Sequence, residues 1–266
     1  MEVETTVRSC ICIKWGQGAY SADDVNRLFT ALTAHSRLPV KLHCVTDDPT
    51  GISSEIICIP LKPEPFDAQM QEASQHATKK NGALKKIGIF RPGLIPDLHG
   101  PLLVLDLDIV ITDDIGPLFD YAPGMVCMAP PFAKRTSPPT FGEGSVIRFD
   151  PSKHGFLYDE MARAPAAMVA FGGGSEQSYT SGIARKHNML ANYPKSLVVS
   201  FKRQCCLPGP LKKWFAPRLP RGAAVVCFHG HPKAAEAVNG YHSSDGTTTL
   251  PAAWLTKAWN QSAPLQ

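Results

Sequence analysis

Apolar residues recur along the chain in short runs separated by polar turns, and their period changes from run to run. Residues 7–13 form an apolar run of strand length that stops at Lys14-Trp15-Gly16. A helix is predicted from Ser21. Its hydroxyl can cap the start, Asp24 supplies a weaker form of the capping box, and Val25, Leu28, Phe29 and Leu32 fall on one face. Residues 40–45 read as a second strand, ended by the turn sequence Thr46-Asp47-Asp48-Pro49-Thr50-Gly51. Residues 56–59 read as a third strand, followed by a polar stretch and a predicted helix over 82–90, stopped before Pro92. The most apolar strand is predicted as one piece over 102–111, with another at 125–128.

Strands that alternate with helices predict an α/β fold, with a mostly parallel central sheet flanked by helices on both faces. Such sheets bind ligands beyond the carboxyl ends of their strands. Lys14, Thr46-Asp47 and Asp106-Asp108 are therefore expected along one edge. Beyond residue 125 the chain carries more Pro and Gly. Shorter elements are expected there: strands at 145–149, 197–201 and 224–228, and helices at 156–161 and 176–187. Neither a linker nor a charge run divides the halves, so a single domain is expected over 1–242. Residues 243–266, rich in Ser, Thr and Gly with Trp254 and Trp259, are expected as a loose tail.

Composition narrows the function classes. No apolar run approaches the roughly 20 residues of a membrane-spanning helix. The acidic start Met1-Glu2-Val3-Glu4 lacks the layout of a signal peptide. Six of the eight cysteines sit inside apolar strand-like runs and no CxxC pair exists, which fits reduced thiols and a cytoplasmic protein, compatible with peripheral contact to a membrane. A net charge of +4 suits an anionic small ligand. Nucleic acid is not expected as a partner, because no basic run with interleaved aromatics occurs. Lys202-Arg203 and Lys212-Lys213-Trp214 come nearest and read as solvated faces.

The candidate chemistry sits in Leu102-Leu-Val-Leu-Asp106-Leu-Asp108-Ile-Val-Ile. In extended chain, two aspartates two apart share a face at roughly 7 Å. Carboxylates closing a buried strand need a counter-charge. A hard dication, Mn2+ or Mg2+, takes oxygen ligands and still binds phosphates. An apolar strand followed by DxD also opens the haloacid-dehalogenase phosphatases, but those need further acidic residues downstream. Between Glu160 and Ser244 this chain has no Asp, and only Glu176 and Glu236 are acidic. The same interval holds Cys227-Phe-His229-Gly230-His231-Pro-Lys233. There a histidine can complete a metal shell, a glycine admits a phosphate to the backbone, and a lysine can neutralise it.

With these segments the chain resembles the GT-A nucleotide-sugar transferases, within them the family 8-like group that includes glycogenin and bacterial galactosyltransferases. The resemblance runs over about residues 7 to 233. It rests on Lys14-Trp-Gly16, Lys86-Ile-Gly-Ile-Phe90, Asp106-Leu-Asp108 with Pro117-Leu-Phe, and His229-Gly230-His-Pro-Lys233; a closer likeness, to a bacterial group of small glycosyltransferase-like proteins, lies in Lys14 to Gly16, Thr46 to Gly51, Asp106 to Asp108, Ser145 to Phe149 and Cys227 to Lys233. It implies a glycosyltransferase moving a sugar from a nucleotide-diphosphate sugar, a uridine diphosphate sugar in this group, to a carbohydrate acceptor. The donor half would lie at about 1–125 and the acceptor half at about 126–242. It further implies a Mn2+ or Mg2+ site at Asp106, Asp108 and His229, with Asp106 also on ribose. Gly230 and Lys233 would touch the phosphates, and Lys86 would face the donor. Lys14, Trp15, Gly16, Thr46 and Asp47 would hold the nucleoside, and Glu176-Gln177 would stand at the reaction centre. The chain departs from the group in its adjacent His229-Gly230, which leaves His231 as a substitute ligand, and in Glu143-Gly144 before the serine-valine strand. Two other readings accompany this one: a nucleotide-sugar-binding homologue without turnover, and a nucleotidyltransferase, for which a Gly-rich phosphate loop is missing.

Overall fold

A computed structural model describes residues 7–16, 20–77, 83–132, 139–243 and 248–260. In chain order the first half holds β1 (Arg8–Lys14), α1 (Ala22–Ala34), β2 (Val40–Thr46), β3 (Ile57–Pro60), α2 (Asp67–Gln75), a 3-10 helix at Leu84–Phe90, β4 (Leu102–Leu105), β5 (Ile109–Ile111) and α3 (Gly116–Asp120). The second half begins with β6 (Val126–Ala129), β7 (Glu143–Phe149), α4 (Phe156–Arg163), α5 (Pro165–Gly172), α6 (Glu176–Lys186), β8 (Leu190–Asn192) and β9 (Val198–Ser200). A π-helical turn at Phe201–Cys205 and a 3-10 helix at Gly209–Lys213 lead to β10 (Val225–Cys227), α7 (Ala234–Asn239), β11 (Tyr241–His242), β12 (Thr248–Thr249) and α8 (Ala253–Asn260).

Among the described residues the central sheet has seven strands in the order β3-β2-β1-β4-β7-β6-β8. β3, β2, β1 and β4 run parallel. β7 opposes both β4 and β6, and β8 follows β6, so β7 alone runs against the rest. The α/β, mostly parallel architecture read from the sequence is the one present. Side chains alternate along β1 between two cores. Cys10 and Cys12 pack with Leu103, Leu105, Val25, Leu28 and Leu32 on the α1 face. Ile11 and Ile13 pack with Leu102, Val104, Ile87, Phe90, Leu157 and Tyr179 on the other. Helix α1 begins as expected: the Ser21 N–H donates to Asp24 Oδ2 at 2.8 Å.

The structure corrects several expectations. The apolar run over 102–111 is two strands in two sheets. The Asp106 N–H donates to the Ser145 carbonyl at 3.0 Å, and the chain then leaves the central sheet. β5 pairs antiparallel with β10 in a three-stranded sheet of order β5-β10-β9. Asp106 and Asp108 therefore lie in the crossing between sheets and not on one face of a strand. The predicted helix over 82–90 is a 3-10 helix that follows Ala83, whose φ of 57° bars an α-helical start there; Gly82 lies outside the described residues. The polar stretch hides α2, which buries only Met70 and so shows no apolar stripe. Arg148 of the serine-valine strand is buried and donates to the carbonyls of Phe119, Ala122 and Met125, tying the α3–β6 connection to β7.

The expected loose tail is also packed where it is described. β11 and β12 pair, and α8 follows. Leu255 and Ala252 are fully buried with Phe201, Phe228 and Ala237 in a third core under the small sheet. Leu255→Ala should then cost about 2–5 kcal/mol, the range for an emptied core leucine. Urea denaturation would measure it, and a change below about 0.5 kcal/mol, as for an exposed site, would return residues 248–260 to a loose end.

Candidate functional site

The chain reverses its direction of growth across the sheet between β1 and β4: β1, β2 and β3 step one way, and β4 lies on the other side of β1. In open α/β sheets the crevice beyond the carboxyl ends at such a reversal is where ligands bind. A cavity of about 320 Å³ lies there. Ile13, Trp15 and Tyr20 enter it from the end of β1, and Asp106, Leu107 and Asp108 from the end of β4. Lys86, Gly144, Glu176 and Gln177 close the far wall.

Each aspartate has its own lysine. The Lys86 ammonium donates to Asp106 Oδ1 at 2.6 Å and to the Gly144 carbonyl at 2.5 Å. Burial works against this charge, but the pull of Asp106, Glu176 and Asp108 outweighs it and holds the lysine above its ordinary pKa. Lys233 Nζ donates to Asp108 Oδ2 at 2.8 Å from the start of α7. Tyr20 lines the same cavity as this carboxylate. Burial first, and then the Asp108 charge, raise the phenol's pKa, so it stays a donor. Sequence reasoning missed Tyr20; the only signal was an aromatic residue next to the Ser21 cap.

Glu176 opens α6 with its carboxyl buried, and Thr180 Oγ1 donates to its Oε1 at 2.9 Å. Burial raises its pKa most, the nearby Asp106 adds to this, and Lys86 only partly offsets them. Gly144 lies under it: a Cβ there would come 2.6 Å from Glu176 Oε2. A glycine in this second missed position lets the Lys86–Asp106 pair and the glutamate close on one another.

The remaining expected residues divide by location. Lys14 and Thr46 pair across β1 and β2. Both are buried, and they hold the following turn: Lys14 Nζ and Thr46 Oγ1 each donate to the Asp48 carbonyl at 3.0 Å. Asp47 Oδ2 accepts from the Gly16 N–H at 2.9 Å, joining the two loops. These residues shape the rim, and Trp15 is the member of the group that faces the cavity.

The late loop comes alongside through the small sheet, where the Phe228 N–H donates to the Asp108 carbonyl. That pairing places His229 one residue from Asp108's backbone partner. His229 Nε2 is bonded to Ser200 Oγ at 2.7 Å, and its ring stacks on Phe132. Burial, and then Lys202, Arg203 and Lys233, lower its pKa, so the imidazole is neutral, the form that can ligate a metal. Gly230 has φ of +64°, and a Cβ there would stand 3.3 Å from Lys202 Nζ. His231 is held by Glu236 at 2.9 Å and stacks on Tyr241. By ligand type, two carboxylates with a neutral imidazole fit a hard divalent cation. In the present arrangement lysines neutralise the carboxylates, and among the described residues no three His, Cys, Asp or Glu side chains gather tightly enough to hold an ion.

The raised pKa of Glu176 has a measurable sign. A carboxyl that holds its proton more tightly when folded costs the native state stability as pH rises from the ordinary carboxylate range through its folded-state value. With chelator present, Glu176→Gln should melt higher than the parent at about pH 7 and equally at about pH 4. A parent that melts higher at neutral pH would refute the assignment.

No protein-family profile matches the chain, and no curated relative does. Solved structures do. The galactosyltransferase LgtC, crystallised with donor and acceptor sugar analogues, superposes with a TM-score of 0.60 at 14% identity, covering 97% of each chain. The glycosyltransferase GlyE of Streptococcus pneumoniae TIGR4 gives 0.57 at 13% identity over 97% of this chain, which spans 61% of the pneumococcal one. Mouse xyloside xylosyltransferase 1 gives 0.50 at 10% identity. The chain has the GT-A-type α/β fold that these glycosyltransferases share.

Proposed function

We propose that the protein is a glycosyltransferase that moves a sugar from a nucleotide-diphosphate sugar to a carbohydrate acceptor, with Mn2+ or Mg2+ held by Asp106, Asp108 and His229. The observation that carries this reading is the unequal pairing of the two carboxylates at the β1/β4 crevice. The Lys86 side chain is 3% exposed and fixed on Asp106, whereas the Lys233 side chain is 41% exposed on Asp108. Lys233 can thus leave Asp108 for a diphosphate without stranding its own charge, whereas Lys86 cannot leave Asp106 without doing so.

The residues divide the work accordingly. Trp15, above the rim that Lys14, Gly16, Thr46 and Asp47 build, offers an apolar face to the nucleoside. Gly230 leaves backbone room for a phosphate, and Lys233 neutralises it. Tyr20, on the same cavity, keeps its phenolic proton. Glu176, pinned by Thr180, presents a carboxyl to the sugar side, with Gln177 beside it. Its raised pKa lets it hold or yield a proton at an acceptor hydroxyl. A bound cation would stabilise the charge that develops on the departing diphosphate.

A second reading, a nucleotide-sugar-binding protein without turnover, is favoured by the lysines that now occupy both carboxylates. Two measurements separate them. Calorimetry of uridine diphosphate with Mn2+ should show binding to the parent and its loss in Asp108→Ala; equal binding by both removes the proposed metal site. In transfer or donor-hydrolysis assays Lys233→Ala should lower turnover by about 10- to 1000-fold, the range for one electrostatic contact to a developing charge, while donor affinity falls less. A parent that binds donor and cation yet turns over no sugar establishes the second reading.

A further inference from the structure

The segment over 201–221 borders the candidate site at Gly230 through Lys202, and its composition is unlike the rest of the chain. It holds Lys202, Arg203, Lys212, Lys213, Arg218 and Arg221, and no acidic residue occurs between Glu176 and Glu236. It also carries most of the exposed large apolar side chains: Trp214 is 78% exposed, Phe215 50%, Leu211 47% and Leu207 44%. Ordinary surfaces expose single apolar residues, whereas four within nine positions form a patch.

The fold gathers these residues. The π-helical turn at Phe201–Cys205 and the 3-10 helix at Gly209–Lys213 face one another across a cavity of about 630 Å³. Lys202, Arg203, Lys212 and His231 line it along with Leu207, and among the described residues no carboxylate does. The Trp214 and Phe215 N–H groups both close on the Leu211 carbonyl, which keeps the three apolar side chains on adjoining turns. The Arg218 N–H donates to the Cys205 carbonyl at 2.8 Å, bringing the end of the segment back to its start. Underneath, Phe201 and Cys205 are anchored in the third core. The patch is thus a supported surface and not a frayed loop.

From this face we infer that the protein docks peripherally on an anionic lipid bilayer, with Trp214, Phe215, Leu211 and Leu207 entering the interfacial layer and the basic cavity receiving lipid phosphate. Charge complementarity selects this occupant. A second copy of the chain would set the three cations of the cavity, Lys202, Arg203 and Lys212, against three like charges. A nucleic acid would suit the cations and the tryptophan, but it offers nothing to the two exposed leucines. A bilayer carrying acidic headgroups satisfies both halves of the patch: aromatic rings settle at headgroup depth and the cations are drawn to the surface potential. No helix among the described residues is long and apolar enough to cross a membrane, so the association is by surface contact. The cavity adjoins Gly230, through Lys202, and would bring the late loop to the membrane plane.

Sedimentation of the full chain with vesicles tests this independently of any transferase activity. Phosphatidylcholine vesicles containing phosphatidylglycerol should carry the protein down at low ionic strength, pure phosphatidylcholine vesicles should carry little, and added salt should release it. Lys212→Ala with Lys213→Ala should weaken the partition by about 10- to 30-fold, from roughly one interaction of surface strength per cation. Trp214→Ala, at a position too exposed to affect folding, should weaken it by about 10-fold or more at an unchanged melting temperature. Equal sedimentation of parent and variants would overturn the inference. So would retention on single-stranded RNA or an acidic protein with none on the acidic vesicles.

Discussion

A single buried ammonium organises the mouth of this sheet. Lys86 reaches it from the 3-10 helix at Leu84–Phe90 and is satisfied by the Asp106 carboxylate and the Gly144 carbonyl. Three segments far apart in sequence therefore meet on one group: the helix before β4, the end of β4 and the start of β7. Removing the Asp106 charge would leave the Lys86 ammonium buried and uncompensated, which commonly costs about 3–5 kcal/mol. The missing side chain at residue 144 allows this meeting, because a Cβ would strike Glu176. The arrangement also explains why Glu176 holds its proton more tightly than a free carboxyl: it is buried, and it is the third ionisable group at a place where one cation already serves Asp106.

The second organising feature is the change of sheet at residues 106–108. Had the apolar run continued as one strand, both aspartates would have stayed in the central sheet. Because β5 departs to pair with β10, the backbone at Asp108 instead meets the late loop through Phe228. One edge of the crevice is thus built from β1 and β4, and the other is delivered by the small sheet. The third core under that sheet, which includes Leu255 of α8, holds the late loop in place.

The sequence disclosed different parts of this to different degrees. The β1, α1 and β2 elements were legible because their apolar residues recur at clean periods, and the alternation of strands with helices was enough for the parallel sheet. The position of Asp106 and Asp108 at the sheet edge was legible too, since carboxylates cannot sit inside a run such as 102–105. The break after Asp106 was not, because residues 102–105 and 109–111 are equally apolar and nothing local marks a change of partner. Helix α2 buries one residue, so it has no stripe to read. Tyr20 and Gly144 escaped for a related reason: their importance comes from what they approach in space, Asp108 and Glu176, not from anything beside them in the chain.

The two lysine–aspartate pairs, similar as they look in sequence, are physically unlike, and the difference bears on what the crevice can do. A charge sealed from water is fixed to its partner, because separation would strand it. Lys86 is in that position. Lys233 is nearly half in solvent, so it can move from Asp108 without stranding its own charge. His229, neutral and stacked on Phe132, stands beside the same point with its bond to a hydroxyl, not to a charge. The Asp106 side of the crevice is thus a rigid wall, and the Asp108 side is an exchangeable set of polar contacts. On the proposed reading, an anionic ligand that draws Lys233 away would expose the Asp108 carboxylate at the same moment, so that binding the anion and opening the cation site would be one event.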